Sequence, residues 1–569
     1  MSSRSVHGAW PAVLLALAAT ACGTTLRRFP DAPPMSEDAD KQPFGPMPEK
    51  YYSPFIWDGA DNLVFRPVAN FFAVDPAGRA VDVNALDEVP ASSWFTPRLG
   101  AVALTPDDVA EGPCKGAPPI DPAGPWEVTG GKPDGENPGF FIKSKEGQRY
   151  LLKFDGIAQQ PRATAADAIG TRMYWAVGFE TPCNRIVEFD KSILALAADA
   201  KAEKSNGHSE PMTQAMIDSA LERAMHLPDG RYRGNASLYL SGKPLGPWRY
   251  EGTRDDDAND VVRHEDRREL RGASVLASWL NHFESREQNT LDMWHADDSK
   301  RGYIQHHYID FGDCFGSLWE WDALSRRWGP SNVFQPGHIL ADFVTFGLIV
   351  RPWDEAKKGK SGDVFGYFDV TPFDPEAWYN EYPNIAFGRM QKADAHWMAR
   401  ILARFDDSLL DAAIAAGHLE PTVLEPELRR ILRGRRDAIL RTWLPQLSAL
   451  ASVRVDNDTS EACAHDLLVD AHVVGREART YSAKAWVGLE LKPEPVAVVT
   501  SDTEVCVTLP KVADASPEHP SYLVVDLVAA TRKKGWPTLP LRMHFYQRGA
   551  SELRLVGVER PESNEPPGD

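Results

Sequence analysis

Apolar residues recur at three- to four-residue intervals from Leu270 through Ala273, Leu276 and Ala277 to Leu280, the period of a helix with one buried face. After Asn281 the pattern breaks into a polar run. The apolar segments Thr290 to Trp294 and Tyr303 to Ile309 then flank a turn-like stretch from Ala296 to Gly302. The pattern predicts a buried helix, a polar loop ending at Asn289, and a hairpin whose second strand ends in Asp310, Phe311 and Gly312. Upstream, WEVTGG, GFFIK and RYLLKFD alternate or run apolar between Gly-rich turns, which predicts three antiparallel strands from Trp126 onward and then a helix from Thr164 to Val177. The low-complexity run ALAADAKAEKSNGHSE leads to a helix at about Pro211 to Leu227, and Asn235 to Trp248 reads as a further strand and turn. The acidic run Asp255 to Asp260 lacks the glycine and ligand alternation of a calcium loop and reads as a solvated loop.

Helical periodicity returns at Gly337 to Val350, Ala393 to Ala416 and Glu425 to Leu447. Between the first two, Arg351 to Phe387 is rich in Pro, Gly and aromatics and reads either as an insert over a site or as a structural plug. From Ser452 onward short strands dominate, among them AKAWVGLEL, EVCVTLP, YLVVDLVAA and LRMHFYQ, separated by polar turns as in a β-sandwich. The fold class is therefore α+β, closing with a β-sandwich-like domain over residues 451–569. Residues 51–125 read as an irregular extension whose Trp94 and Phe95 cover the body, and residues 23–50, dominated by Pro and charge, as a disordered tether.

Composition narrows the setting. The net charge of -19 argues against nucleic acid or an anionic membrane surface as the main partner, because both reward clustered Lys and Arg. Arg4 and His7 precede the apolar run AWPAVLLALAA, and Thr20, Ala21 and Cys22 resemble the end of a bacterial lipoprotein leader. This predicts a signal peptide over residues 1–22, lipidation at Cys22, and a chain anchored on the bacterial cell envelope, at the outer membrane or the periplasmic face. With Ala19 where that pattern carries Leu, an ordinary secretory signal is the alternative. The remaining cysteines, 114, 183, 314, 463 and 506, are odd in number; Cys463 with Cys506 is the favoured pair, and Cys314 reads as a buried thiol.

Moving a phosphoryl group asks little covalent help of a protein; it needs metal ions held by hard oxygens and a carboxylate that aligns the acceptor. The central stretch offers Glu284, Asn289 five residues later, and Asp310 beyond the hairpin. It resembles the catalytic core of the atypical kinases, closest to the HipA-like kinases and the phosphoinositide lipid kinases. In those families a DRHxxN run precedes an IDFG-like strand end, and here the runs read ESREQN and IDFG.

The resemblance implies a two-lobed kinase-like core, with an antiparallel small lobe over residues 126–255 carrying a helical insert and a mostly helical large lobe over 256–450. It implies ATP and Mg as cofactors, with Asn289 and Asp310 on the metal, Lys153 on the phosphates, Asp167 positioning Lys153, and Glu284 aligning the acceptor. A Gly-bearing hairpin with Gly130, Gly131 and Gly135 would cover the phosphates. Three positions depart from the family pattern: Glu284 replaces Asp, Arg286 stands where His is found, and Asp167 replaces Glu. Read without the resemblance, Lys153 is an edge-strand lysine and Thr164 with Asp167 a capping box. Three functions follow from these readings: an envelope-anchored kinase of unknown acceptor, a catalytically inactive pseudokinase, or a surface-anchored lipoprotein whose C-terminal β domain binds a protein or glycan. A hydrolase built on His282, His306, His307 and Asp313 is weaker, because neighbouring strand residues such as His306 and His307 point to opposite faces.

Overall fold

Hydrophobic alternation and helical periodicity segregate along this chain, and the elements they produce form an α+β structure with several sheets. The computed structural model describes residues 28–567 apart from 73–77, 133–137, 157–160, 204–208, 317–334, 352–356, 489–491, 502–503, 533–534 and 550–551. The expected signal peptide and Cys22 lie outside the described residues.

The extension before the first sheet holds helix α1 (Phe55–Ala60), continued through a π-helical turn (Asp61–Phe65) into α2 (Arg66–Phe72), and then α3 (Pro106–Glu111). Strands β1 (Trp126–Gly131), β2 (Gly139–Lys143) and β3 (Arg149–Phe154) pair antiparallel where the alternation places them. Helix α4 (Arg162–Val177) follows. Strands β4 (Asn184–Phe189), β5 (Leu194–Glu203), β6 (Ser209–Pro211) and β7 (Tyr232–Leu238), with α5 (Gln214–Glu222) between the last two, complete a seven-stranded sheet ordered β4-β7-β3-β2-β1-β5-β6. The first part of the run read as low complexity, as far as Glu203, is thus strand β5, parallel to β1. Its alanines leave a close approach to β1: a Cβ on Gly130 would sit 3.0 Å from the Lys201 carbonyl oxygen.

Strand β8 (Lys243–Gly246) joins a second sheet with the hairpin β9 (Thr290–Ala296) and β10 (Gly302–Tyr308). Between them lies α6 (Arg268–Leu280), enclosed on nearly every side and stopped by Asn281 in the left-handed conformation (φ 56). The helix expected at Gly337 to Val350 forms as α7 (Pro336–Thr345), but it buries no residue, so it does not complete the helical body. The single helix expected at Ala393 to Ala416 is two, Lys392–Leu402 and Asp407–Ala415, because Asp406 accepts from the amides of Ser408 and Leu409 and starts a new helix. A long helix, Leu424–Trp443, packs beside them.

After it, one four-stranded and one five-stranded antiparallel sheet close a common apolar core that includes Leu450, Val505, Val525 and Phe545. Strand Ser521–Thr531 is buried on both faces, and Tyr522 and Val524 on its second face meet Phe29. Residues 28–50 are therefore docked on the body rather than forming a disordered tether: the Phe29 amide donates to the Tyr522 hydroxyl at 3.1 Å, and Asp40 accepts from the Ser93 amide at 2.8 Å. Cys463 and Cys506 form the expected disulfide, Cys114 and Cys183 a second, and Cys314 is buried and free. In the acidic run Asp255 and Asp256 are exposed as expected, but Asp257 and Asp260 are buried, and Asp260 takes the His264 ring at 2.7 Å.

Asp87 ties three parts of the chain together. Its carboxylate meets Arg268 of α6 at 2.6 Å, Arg560 beyond the last strand at 2.7 Å and Arg400 at 3.3 Å. Burial pushes this carboxyl up, but the three guanidiniums outweigh burial and hold it well below the usual range. Removing such a carboxylate leaves buried cations uncompensated. Asp87→Ala is expected to cost about 3–5 kcal/mol, read as a lower urea midpoint with an unchanged slope.

Candidate functional site

The site is assembled from β3, the first turns of α4, and the strand end after β10. Lys153 is buried near the end of β3, where a charge persists only with partners. Its ammonium donates to Asp167 Oδ2 at 2.9 Å and to Asp310 Oδ1 at 2.7 Å. Asp167, also buried, accepts the Phe311 amide at 2.7 Å on its other oxygen and the Asn235 side-chain amide at 3.3 Å. The capping-box reading of Thr164 and Asp167 falls: the helix begins at Arg162, and Asp155 accepts the Thr164 amide at 2.9 Å.

Asp310 adopts φ 59, which turns the chain out of the hairpin and carries Phe311 under α4. Gly170 makes that possible, since a Cβ there would lie 2.7 Å from Phe311 Cβ. The Phe311 ring packs against Tyr174 and His282. Arg162 ties down the next residues by donating to the carbonyls of Gly312 at 2.8 Å and Cys314 at 2.6 Å.

The electrostatics follow from burial and charge. Enclosure pushes Asp310 up, yet Lys153 and Lys132 outweigh it and hold the carboxyl below the usual range; 42% of its side chain stays open to solvent. For Asp167, burial prevails over Lys153 and raises the carboxyl. Lys132, directly after β1, is depressed by burial and by the Lys153 charge, and is attracted to Asp310, Asp167 and Glu284.

The polar loop supplies the other half. Asn289 donates its side-chain amide to the Glu284 carbonyl at 3.0 Å, and the Asn289 carbonyl takes the Ile309 amide at 3.0 Å, which fixes Asn289 beside the strand end that carries Asp310. The Glu284 amide donates to Asp313 at 2.9 Å. The Glu284 carboxylate lies 3.5 Å from Arg286, which is itself clamped by Glu381. Arg351 to Phe387, where described, backs this loop: Trp378 donates to Asn281 at 3.0 Å, and the Glu381 amide to the Phe283 carbonyl at 2.9 Å. His306 pairs with Asp292 at 2.6 Å and stacks on Trp94, whereas His282 lies 3.5 Å from Asp313, so the histidines weighed for a hydrolase belong to separate clusters.

Lys153, Asp167 and Asp310 thus meet directly, and Asn289 with Glu284 sits at the adjoining loop end. Gly130 and Gly131 lie in β1 against β5, while Gly135 lies outside the described residues. Lys132, Asn235 and Glu381 were not singled out from the sequence, and Asp313 was weighed there only for a hydrolase. WEVTGGK carried a signal for Lys132, whereas Asn235 and Glu381 reach the site only through the fold. Among the described residues, the grouping of acidic, His or Cys side chains close enough for an ion is Glu461 with Cys463 and Cys506, and both cysteines are consumed in a disulfide.

No family model matches this chain, and neither the curated proteins nor the solved structures contain a match to it.

Lys153→Met is expected to protonate buried Asp167 and to destabilise the fold by about 3–5 kcal/mol, measured by urea unfolding. A second expectation concerns Glu287, whose carboxyl burial and the nearby Asp58 raise from 4.5 to about 7. The folded state therefore binds its proton more tightly than the unfolded chain, so this contribution to stability is full below pH 4.5 and is lost as pH rises through about 7. Glu287→Gln is expected to flatten the fall in melting temperature across that window.

Proposed function

We propose that this chain is an envelope-anchored extracytoplasmic protein with an atypical kinase-like core that binds nucleotide together with Mg. In this reading the seven-stranded sheet with α4 is the small lobe, α6 and the later helices form the large lobe, and the C-terminal sheets bind a protein or glycan partner or support the core. The observation that carries the reading is the Lys153 ammonium between Asp167 and Asp310, the latter 157 residues away along the chain. A third-strand lysine, a helix carboxylate and a strand-end Asp are the three charges that phosphate and metal binding ask to be held together. Asn289 and Asp310 would hold the metal with hard oxygen donors, and Asp310 is partly open to solvent as a ligand must be. Lys153 and Lys132 would face the phosphates. When bound, the metal would offset phosphate charge that Asp310 and Glu284 alone would repel. The two disulfides suit an oxidising compartment and so support export.

One observation favours the inactive alternative. Glu284, which would align an acceptor hydroxyl, is ion-paired with Arg286. A carboxylate held by a guanidinium has fewer lone pairs free for an acceptor hydroxyl, and one methylene of extra length shifts it on the scale at which about 1 Å costs on the order of a hundredfold in rate. Binding is therefore the primary proposal, and transfer to an acceptor is the secondary one.

ATP with Mg²⁺ at about 100 times its dissociation constant is expected to stabilise the chain by about 2.7 kcal/mol, visible as a thermal shift. The shift should depend on Mg²⁺ and disappear in Asp310→Ala. Absence of any shift with any nucleotide would remove the kinase-like reading and leave a binding lipoprotein.

A further inference from the structure

The helical run from α1 to α2 is amphipathic with its polar face turned inward. Asp58 and Asn62, one turn apart, are buried, and Asn62 donates to Asp58 Oδ1 at 2.8 Å. Asp58 also takes the Tyr382 hydroxyl and, at 3.2 Å, the Gln288 side chain of the polar loop. One further turn along, Arg66 pairs with Glu251 at 2.9 Å and approaches Glu287 at 3.9 Å. The opposite face is apolar and open: Ile56 is 85% exposed, Trp57 61%, Val64 49%, Phe65 52% and Val68 57%. Trp57 and Phe65 lie side by side with ring centroids 5.6 Å apart.

The helix cannot turn this face inward, because doing so would strand Asp58 and Arg66 away from their partners. A contiguous apolar stripe held outward by ion pairs is an interaction surface. We propose that it is a membrane-docking surface that inserts into the interfacial region of a lipid bilayer. Part of the case rests on the envelope-anchored reading. Five residues, 23–27, separate Cys22 from the docked chain at Arg28, a reach of roughly 20 Å when extended. An acyl group at Cys22 would keep the bilayer within that distance of Arg28, so insertion of the stripe would be a second contact of a chain already attached. A single lipid anchor gains from a second membrane contact in the same way. The face itself suits lipid better than a charged partner: it pairs an indole and a phenyl ring with aliphatic residues, and Arg66, the basic residue between Ile56 and Val68, is taken up by Asp61 and Glu251. With the chain at net charge -19, attraction to anionic headgroups is not the driving force, so docking rests on apolar insertion.

The test uses the chain from Gly23 onward, which contains every described residue and lacks Cys22, so that no acyl group contributes. Vesicles of neutral phosphatidylcholine, alone or with phosphatidylglycerol, are sedimented with the protein. Binding to neutral vesicles is expected to persist when salt is raised from about 0.1 M to about 1 M, which shortens the Debye length from about 10 Å to about 3 Å. The double variant Trp57→Ser, Phe65→Ser should weaken binding by at least about tenfold with an unchanged melting temperature. An environment-sensitive fluorophore on Val64→Cys should shift to the blue on vesicles, which checks the site even where the double variant folds poorly. Absence of vesicle binding would overturn the proposal, as would binding confined to anionic vesicles and abolished by salt. Self-association lost in the double variant, without vesicle binding, would also overturn it and assign the face to a second copy. Acylation of Cys22, followed by radiolabelled fatty acid on the full chain, is a separate readout, so failure of the anchor and failure of the helix are told apart.

Discussion

A buried ammonium shared by two carboxylates holds the candidate site together. Lys153, Asp167 and Asp310 come from a strand, a helix and the end of a hairpin, and the first two would each be costly to bury alone. The sheet, α4 and the second sheet must therefore sit in one relative position for any of the three charges to be satisfied. The Phe311 amide adds direction, since it reaches Asp167 only if the chain turns sharply at Asp310. Gly170 removes the Cβ that would obstruct that turn.

The same physics recurs away from the site. An acidic chain has placed arginines inside its helical body, each facing carboxylates from distant segments: Arg268 and Arg400 meet Asp87, and Arg271 lies 3.6 Å from Asp394. Guanidinium suits this role because its planar fork serves several acceptors and it never loses its charge. These ion pairs bind the N-terminal extension, the helices and the last strands to one another. Breaking one partner exposes the others to a low-dielectric interior, so the network adds specificity to packing that apolar contacts alone would leave adjustable.

Around the polar loop, charge is arranged differently. Glu284 faces Arg286, and Arg286 faces Glu381, whose carboxyl burial raises to about 7. Glu287 on the same loop is raised to a similar value. The loop thus carries one carboxyl poised near neutrality, Glu287, and faces a second, Glu381, from the 351–387 segment, next to an ion-paired Glu284.

Much of the local structure was legible in the chain. Period-two alternation placed the first three strands, and the helical repeat from Leu270 to Leu280 placed α6, because both patterns reflect which face each element buries. ESREQN and IDFG marked the loop and strand end, and the order of Lys153, Asp167, Asn289 and Asp310 pointed to one site. Other features were hidden. The alanine-rich β5 has too little apolar contrast to read as a strand, and its pairing depends on the glycines of β1. The segment from Arg28 resembles a linker in composition, yet Phe29 finds a second buried face on a strand nearly five hundred residues later. Composition and periodicity report what each segment does with its neighbours in sequence. The union of Lys153 with Asp310, the placement of Lys132 and Asn235, and the outward apolar face of α1 were decided only by tertiary structure, because each depends on a partner far along the chain whose charge or shape no local pattern encodes.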